Sequence, residues 1–340
     1  MKHIVLEEPG RFAFGDGPEP KPGEGEALVK VHRVGVCGTD IHAFHGRQPF
    51  FEYPRILGHE LGVEIIEAPP GSPLPVGARC SLEPYMNHPQ SQASRRGKTN
   101  CCDELQVLGV HTDGGLRPYL AVPIHKLHAS DQLNDDQLAL VETLCIGAHA
   151  ATRGGIGPDD QVLVIGAGPI GLSVLEFARH LTGRPVTVAD VSDARLDFVR
   201  QHLGIKQAIN VSQTADPKEA IQEELSGDLP TVIFDATGNS ASMHGTFELA
   251  AQGATIVFVG LFQGDVTFQD PLFHRKELTL KSSRNATAAD FQRVIEAVES
   301  GKVDTAPWLT HRMPFSEMPS QFAEVTLQPD LLKAIVEMES

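Results

Sequence analysis

The stretch VLVIGAGPIGLSVLEFARH, residues 162–180, decides the fold. An apolar run from Val162 to Ile165 leads into Gly166, Gly168 and Gly171, spaced GxGxxG, and then into a segment whose apolar residues recur at helical period. Each glycine has a steric reason: a tight turn, close approach of the backbone to a pyrophosphate, and close packing of helix on strand. Pro169 and Ile170 open the helix, whose N-terminus would receive the phosphate charge. A GxGxxG alone is weak. Here the next apolar run, PVTVAD, ends at Asp190 about 20 residues on, where a carboxylate accepts hydrogen bonds from ribose hydroxyls. That carboxylate repels a 2′-phosphate, and DVSDAR supplies only Arg195 nearby, which favours NAD over NADP.

Downstream the same grammar repeats. TVIFDATG, a helix near 240–251, ATIVFVGL and ELTLKSS alternate buried-strand runs with helical patterns, as a parallel sheet requires. The helices beside the first two strands are read as ending near Leu181 and starting at Asp193. Upstream, short alternating segments separated by Pro and Gly dominate. EALVKVHRVGV puts Val29 and Val31 on one face and Lys30 and His32 on the other, an antiparallel pattern. Between the two regions NDDQLALVETLCIGAHAATRGG reads as a helix with Asn134 as N-cap. The expectation is therefore an α/β protein. A β domain spans 1–150, a doubly wound domain spans 151–289, and residues 290–340, with a helix at AADFQRVIEAVESG and a strand at LLKAIVEM, return to the first.

Composition bounds the function. A 340-residue chain with 41% hydrophobic residues and a formal charge of −16 reads as a soluble, two-domain protein unsuited to phosphate backbones or anionic membranes, so neither nucleic acid nor membrane is expected as a partner. The start MKHIVLEEPG turns acidic before a signal-peptide core could form, and no run is long enough to span a bilayer, so the cytoplasm is the expected location. Five cysteines are an odd set, too sparse for a disulfide scaffold, which favours reduced thiols with at most one or two of them as ligands.

GVCGTDIH and LGHE gather Cys37, Thr39, Asp40, His42, His59 and Glu60 in a short span of the β region. Taken singly, each is better read as a buried Cys or a solvated polar residue; together, upstream of a nucleotide fingerprint, they suit Zn²⁺, which takes S, N and O donors. Neighbours on an extended segment point to opposite faces, so His59 and Glu60 reach one ion only if the backbone turns near Gly58. Glu142, in the helical stretch, is a further candidate ligand.

These motifs, with VETLCIGAHA and DATG, occur in the order of the zinc-dependent medium-chain alcohol dehydrogenase superfamily, which the chain resembles over nearly its whole length. GRQPFFEYPRILGHE, LGVHTDGG, VGLF and SSRNAT are similar to its polyol and sugar-acid branch, in particular to bacterial L-galactonate and L-gulonate 5-dehydrogenases. The resemblance implies a GroES-like β domain joined to a Rossmann domain, with the active site in the cleft between them. It makes Cys37, His59 and Glu60 catalytic-zinc ligands, places Glu142 at the metal directly or through water, and gives Asp40 the role of holding the His59 ring. Thr39 and His42 match the proton-relay positions, and the reaction is hydride transfer from a secondary alcohol to NAD. Arg284 and Asn285, after a late strand, are candidates for a substrate carboxylate or the cofactor. Relatives are commonly homodimers or homotetramers.

The segment YMNHPQSQASRRGKTNCC, residues 85–102, departs from the pattern. Many relatives carry four cysteines here, spaced Cx2Cx2Cx7C, for a structural zinc; counting back from Cys102 gives Ser94, Ser91 and His88. Serine hydroxyls are not usual zinc ligands, so one catalytic ion and no structural one is expected, with other contacts ordering the lobe. Competing readings are a sorbitol-, galactitol- or L-threonine-type dehydrogenase, a zinc-free quinone or enone reductase, and a non-catalytic NADH-binding protein. The last two have no need of Cys37, His59 and Glu142 together.

Overall fold

A computed structural model describes residues 1–48 and 51–338; Pro49 and Phe50 of the motif GRQPFFEYPRILGHE lie outside the described residues. The chain forms two compact units, one of Met1–Thr143 with Ala286–Ser340 and one of Leu144–Asn285.

The second unit is built on a six-stranded parallel sheet. Its order is Ala208–Asn210, Thr187–Asp190, Val162–Ile165, Val232–Asp235, Thr255–Phe258, Thr279–Ser282. From the central Val162–Ile165 strand the chain winds to one side and then the other, the doubly wound order of dinucleotide-binding folds. Both faces of such a sheet are covered, which is why Val162, Leu163 and Val164 are wholly buried and the strand reads as a continuous apolar run. Sequence reasoning missed the Ala208–Asn210 strand and the Pro217–Glu224 helix after it. The strand is three residues long, and the helix buries only Ile221, too little periodicity to see.

Two helices end earlier than their apolar patterns suggest, at Ala178 and at Leu249. The second stop has a visible cause. Buried Lys276 donates its Nζ to the carbonyls of Phe247, Glu248 and Ala250 at 3.0, 3.1 and 2.7 Å, occupying acceptors that a further turn would have used.

The first unit carries a seven-stranded sheet in the order Leu309–Pro314, Lys333–Glu337, Glu26–Val36, Glu60–Glu67, Arg79–Leu82, Leu127–Ala129, with Tyr119–Pro123 also pairing Glu26–Val36. Every pairing is antiparallel except Leu309–Pro314 with Lys333–Glu337. Val29 and Val31 are buried while Lys30 and His32 are half-buried, as alternation predicts. Between Val31 and Arg33 the register shifts, and Val34, Gly35 and Val36 are then all buried. Such an irregularity re-aims the end of a strand, here the end that leads to Cys37.

The helix Asp135–Gly154 begins at a capping box: Gln137 N donates to Asn134 Oδ1 at 2.9 Å and Asn134 N to Gln137 Oε1 at 3.0 Å. Asp136 accepts from Arg33 Nε at 2.9 Å and from Arg312 Nη2 at 2.5 Å, fastening the first turn to two strands of the sheet.

Candidate functional site

Three neighbouring strands of the first unit build one cluster. Gly35 is the register partner of Glu60, and Val36 that of Ala334, so Cys37, Glu60 and Lys333 meet at one end of the sheet. A Cβ on residue 35 would fall 2.1 Å from Glu60 Oε2, so only glycine leaves room for that carboxylate. Gly58 adopts φ +98°, a value L side chains rarely reach, and turns the backbone just before His59. That turn lets adjacent His59 and Glu60 converge. One donor atom from each of Cys37, His59 and Glu60 lies within 4.8 Å of the others.

The cluster is buried and only partly satisfied. Asp40, His59, Glu60 and Glu142 are 4, 5, 1 and 4% exposed. Lys333 Nζ donates to Glu60 Oε1, and the Tyr85 hydroxyl donates to Glu142 Oε1. Cys37 N donates to Asp40 Oδ2 at 2.9 Å. By contrast Glu60 Oε2, His59 Nδ1 and Asp40 Oδ1 are buried without a hydrogen-bond partner. The last two stand 3.9 Å apart, beyond hydrogen-bond reach, so Asp40 flanks the His59 ring without bonding to it.

The charges tell the same story. Burial pushes the Asp40 and Glu142 carboxyls above the usual range, with neighbouring His59 opposing it. Burial alone would lower His59, but the Cys37 and Asp40 charges beside it lift the imidazole well above its ordinary value. Lys333 is likewise lowered by burial and, more than that, raised by Glu60 and Cys37. Three buried carboxyls and a thiol thus crowd the Lys333 ammonium and the His59 imidazole. Buried polar atoms left unmatched in this way are costly unless a cation offsets them, and the S, N and O set fits Zn²⁺.

Cys37 caps the short helix Gly38–Phe44, on which Thr39 and His42 stand three residues apart and so share a face. Cys37 Sγ lies 3.6 Å from Thr39 Oγ1. Thr39 is half-buried and His42 exposed, so the pair leads outward from the cluster. Partial desolvation, then the charges of Arg47 and His45, hold His42 below its ordinary pKa.

In the second unit a Cβ on Gly171 would lie 1.7 Å from the carbonyl oxygen of Gly166, so the loop closes onto the helix only with glycine there. Pro169 and Ile170 form the first turn of the helix Pro169–Ala178, with Gly168 as N-cap. Asp190, at the end of its strand, accepts from Ala167 N at 2.6 Å and Ser192 N at 2.8 Å, which pins the glycine loop to the strand. Arg195 Nη1 is 3.9 Å from Asp190 Oδ2. Exposed Arg284 and half-buried Asn285 follow the Thr279–Ser282 strand; Asn285 has φ 52° and a buried Nδ2 without a hydrogen-bond partner.

The 85–102 lobe has its own order. Ser91 Oγ accepts from Ser94 N at 3.2 Å and lies 2.9 Å from Ser94 Oγ, which also receives Asn87 Nδ2 at 2.9 Å. His88 N donates to Cys102 Sγ at 3.3 Å. Burial would raise the Cys102 thiol, but hydrogen bonds from Ser91 and the His88 amide outweigh it and hold it lower. Cys102 is therefore a buried acceptor, and Cys101 is exposed. Sequence reasoning also missed Lys333 and Tyr85. Lys333 left a trace, a lone positive charge in the run LLKAIVEM; Tyr85 left none.

Comparison with known proteins agrees with this construction. Residues 23–132 match the alcohol dehydrogenase GroES-like domain and residues 169–300 the zinc-binding dehydrogenase domain. The chain belongs to the zinc-binding alcohol dehydrogenase family and is an oxidoreductase. Among its relatives is L-galactonate-5-dehydrogenase of Escherichia coli K12, 40% identical over 99% of this chain and 98% of that protein. Another is 2-dehydro-3-deoxy-L-galactonate 5-dehydrogenase of Pseudoalteromonas atlantica, 29% identical over 96% of this chain and 95% of that one. The crystal structure of the rspB alcohol dehydrogenase from E. coli CFT073 complexed with NADH superposes with a TM-score of 0.92 at 31% identity, covering 99% of both chains. Zinc and a nicotinamide dinucleotide, the groups this class uses, are those the two sites fit. Among the described residues no helix is long and apolar enough to cross a membrane.

Proposed function

We propose that the protein oxidises a secondary hydroxyl of a six-carbon sugar acid of the L-galactonate or L-gulonate type, using zinc and NAD. The observation that carries the metal is the buried set of unpartnered atoms on His59, Glu60 and Asp40 beside Cys37. The substrate class rests on the relatives, two of which are 5-dehydrogenases of L-galactonate and its 2-dehydro-3-deoxy derivative.

Cys37, His59 and Glu60 would hold the ion, with Glu142 beside it. Bound there, zinc supplies a Lewis acid that lowers the pKa of the substrate hydroxyl, and NAD supplies the hydride acceptor. Thr39 receives the hydroxyl proton at Oγ1 and passes its own to His42. The imidazole, held below its ordinary pKa, stays neutral near pH 7 and delivers the proton to solvent. Asp40 accepts from the Cys37 amide and so fixes the turn that presents the thiol. Lys333 offsets the Glu60 charge. In the second unit the Gly166–Gly171 turn and helix N-terminus receive the pyrophosphate, and Asp190 the adenosine ribose, with Arg195 alongside. Arg284 and Asn285 are proposed to meet the substrate carboxylate or the cofactor, since a guanidinium fork suits a carboxylate.

The five free cysteines support a cytoplasmic location. Exposed Leu261 and Phe268 support assembly into a homodimer or homotetramer, which light scattering would measure. The test of function is NAD reduction with L-galactonate, L-gulonate, L-idonate, sorbitol, galactitol and L-threonine, before and after chelation. Turnover of an acid that chelation abolishes is expected. Preference for a polyol or for threonine would overturn the substrate, and undiminished turnover without metal would overturn the mechanism.

A further inference from the structure

Resting on the metal-dependent reading above, we propose that Tyr85 is a positioning residue: it ties Glu142 by one carboxylate oxygen, so that the other is the readier donor to the metal or a water beside it. Both groups are buried, Tyr85 at 2% and Glu142 at 4% exposure, and the phenol donates to Oε1. Glu142 contributes no oxygen to the compact group of Cys37, His59 and Glu60. The tether keeps it as a neighbour of that group.

The two glutamates are held in parallel but unequal ways. Glu60 is tied through Oε1 by an ammonium, which cancels its charge as well as orienting it. Glu142 is tied through Oε1 by a neutral hydroxyl, which orients it and leaves its charge to act on the site. A carboxylate free to use both oxygens could chelate; one held by a hydrogen bond at Oε1 is turned so that Oε2 is its readier donor.

Tyr85 can do this because it is clamped on both sides along its own segment. Its backbone pairs with Val107, and its ring meets Phe291 edge-on at 6.4 Å and 72°. Phe291 stacks on His128 at 4.7 Å and 19°. Two residues before Tyr85, buried Glu83 accepts from Lys126 Nζ at 2.5 Å and lies 3.1 Å from His128 Nε2. Two residues after it, Asn87 Oδ1 receives the same Lys126 Nζ at 3.0 Å. Glu83, Lys126 and His128 are 1, 4 and 8% exposed, so this is a built, desolvated brace. Asn87 also donates to Ser94, which joins the brace to the lobe that carries no full thiol set.

The test compares wild type, Y85F, E142Q and Y85F/E142Q as full chains reconstituted with Zn²⁺ or Co²⁺. Y85F should keep one ion per chain and the wild-type affinity for NADH, shift the visible absorption of the cobalt form, and lower kcat by about 10- to 100-fold. The double variant should match E142Q alone, because Tyr85 acts through Glu142. A Y85F cobalt spectrum superimposable on wild type with unchanged kcat, or effects of Y85F and E142Q that simply add, overturns the proposal and leaves the function reading intact. Wild type that binds no metal overturns both. If Y85F does not fold, the cobalt spectrum of E142Q decides: no shift there removes Glu142 from the metal's surroundings and the role of Tyr85 with it.

Discussion

Two corners of the first unit each present a cysteine, and they differ in whether their neighbours are satisfied. Around Cys37, buried atoms of His59, Glu60 and Asp40 lack hydrogen-bond partners, and three carboxyls crowd Lys333 and the His59 imidazole. Around Cys102, Ser91, Ser94 and the His88 amide bond to one another and to the sulfur. The first corner is incomplete as protein alone; the second is complete. What separates the two corners is the number of unpaired buried polar atoms, because leaving such groups unmatched costs about 1–3 kcal/mol each.

Replacing Cys37 by serine gives the largest expected effect: bound metal is lost and turnover falls by more than about 100-fold, since a direct ligand matters more than the groups behind it. Metal analysis and NAD reduction measure this. Chelation of the wild type should abolish activity while amides of residues 85–102 keep their hydrogen-exchange protection. Loss of protection there would break the comparison by showing that the lobe needs an ion after all.

Next comes Lys333→Met. It strands Glu60 as a buried charge and should destabilise the fold by about 3–5 kcal/mol in urea unfolding of the metal-free protein, with a smaller loss once zinc is bound. An equal loss in both forms would mean that Glu60 does not answer to the ion. Cys102→Ala is expected to cost less, about 1–3 kcal/mol, with metal content and kcat unchanged. A fall in bound metal would make Cys102 a ligand.

The smallest effect concerns His42. Partial desolvation and the positive charges of Arg47 and His45 hold its pKa down, so its neutral, proton-accepting form persists to lower pH than usual. Arg47→Gln removes one repelling charge, raises the His42 pKa, and should move the acid limb of the kcat/KM profile to higher pH. An unmoved limb would take His42 out of the proton path.

The parallel sheet was legible because its strands are buried on both faces and announce themselves as apolar runs, and because GxGxxG admits few backbones. The Ala208–Asn210 strand was not, being too short to carry a pattern. At the buried cluster, Cys37, His59 and Glu60 stood out as residue types, and the need for a turn at Gly58 followed from strand geometry. Lys333 lay hidden because its role depends on register: Val36 opposite Ala334 brings it to Glu60, and pairing across the chain cannot be read from local sequence. Ser91 and Ser94 were visible as missing thiols, yet their hydrogen bonds to each other and to Cys102 are set by how the lobe folds back on itself.

Lys333 meets Glu60 across a separation of 273 residues, with the whole second unit encoded between them. On a ribosome the glycine-loop unit is finished and able to close while the acidic corner of the first unit still waits for its counterion. Until then the nascent corner holds its acids without their lysine, and final closure of that sheet becomes a late event in the life of the chain.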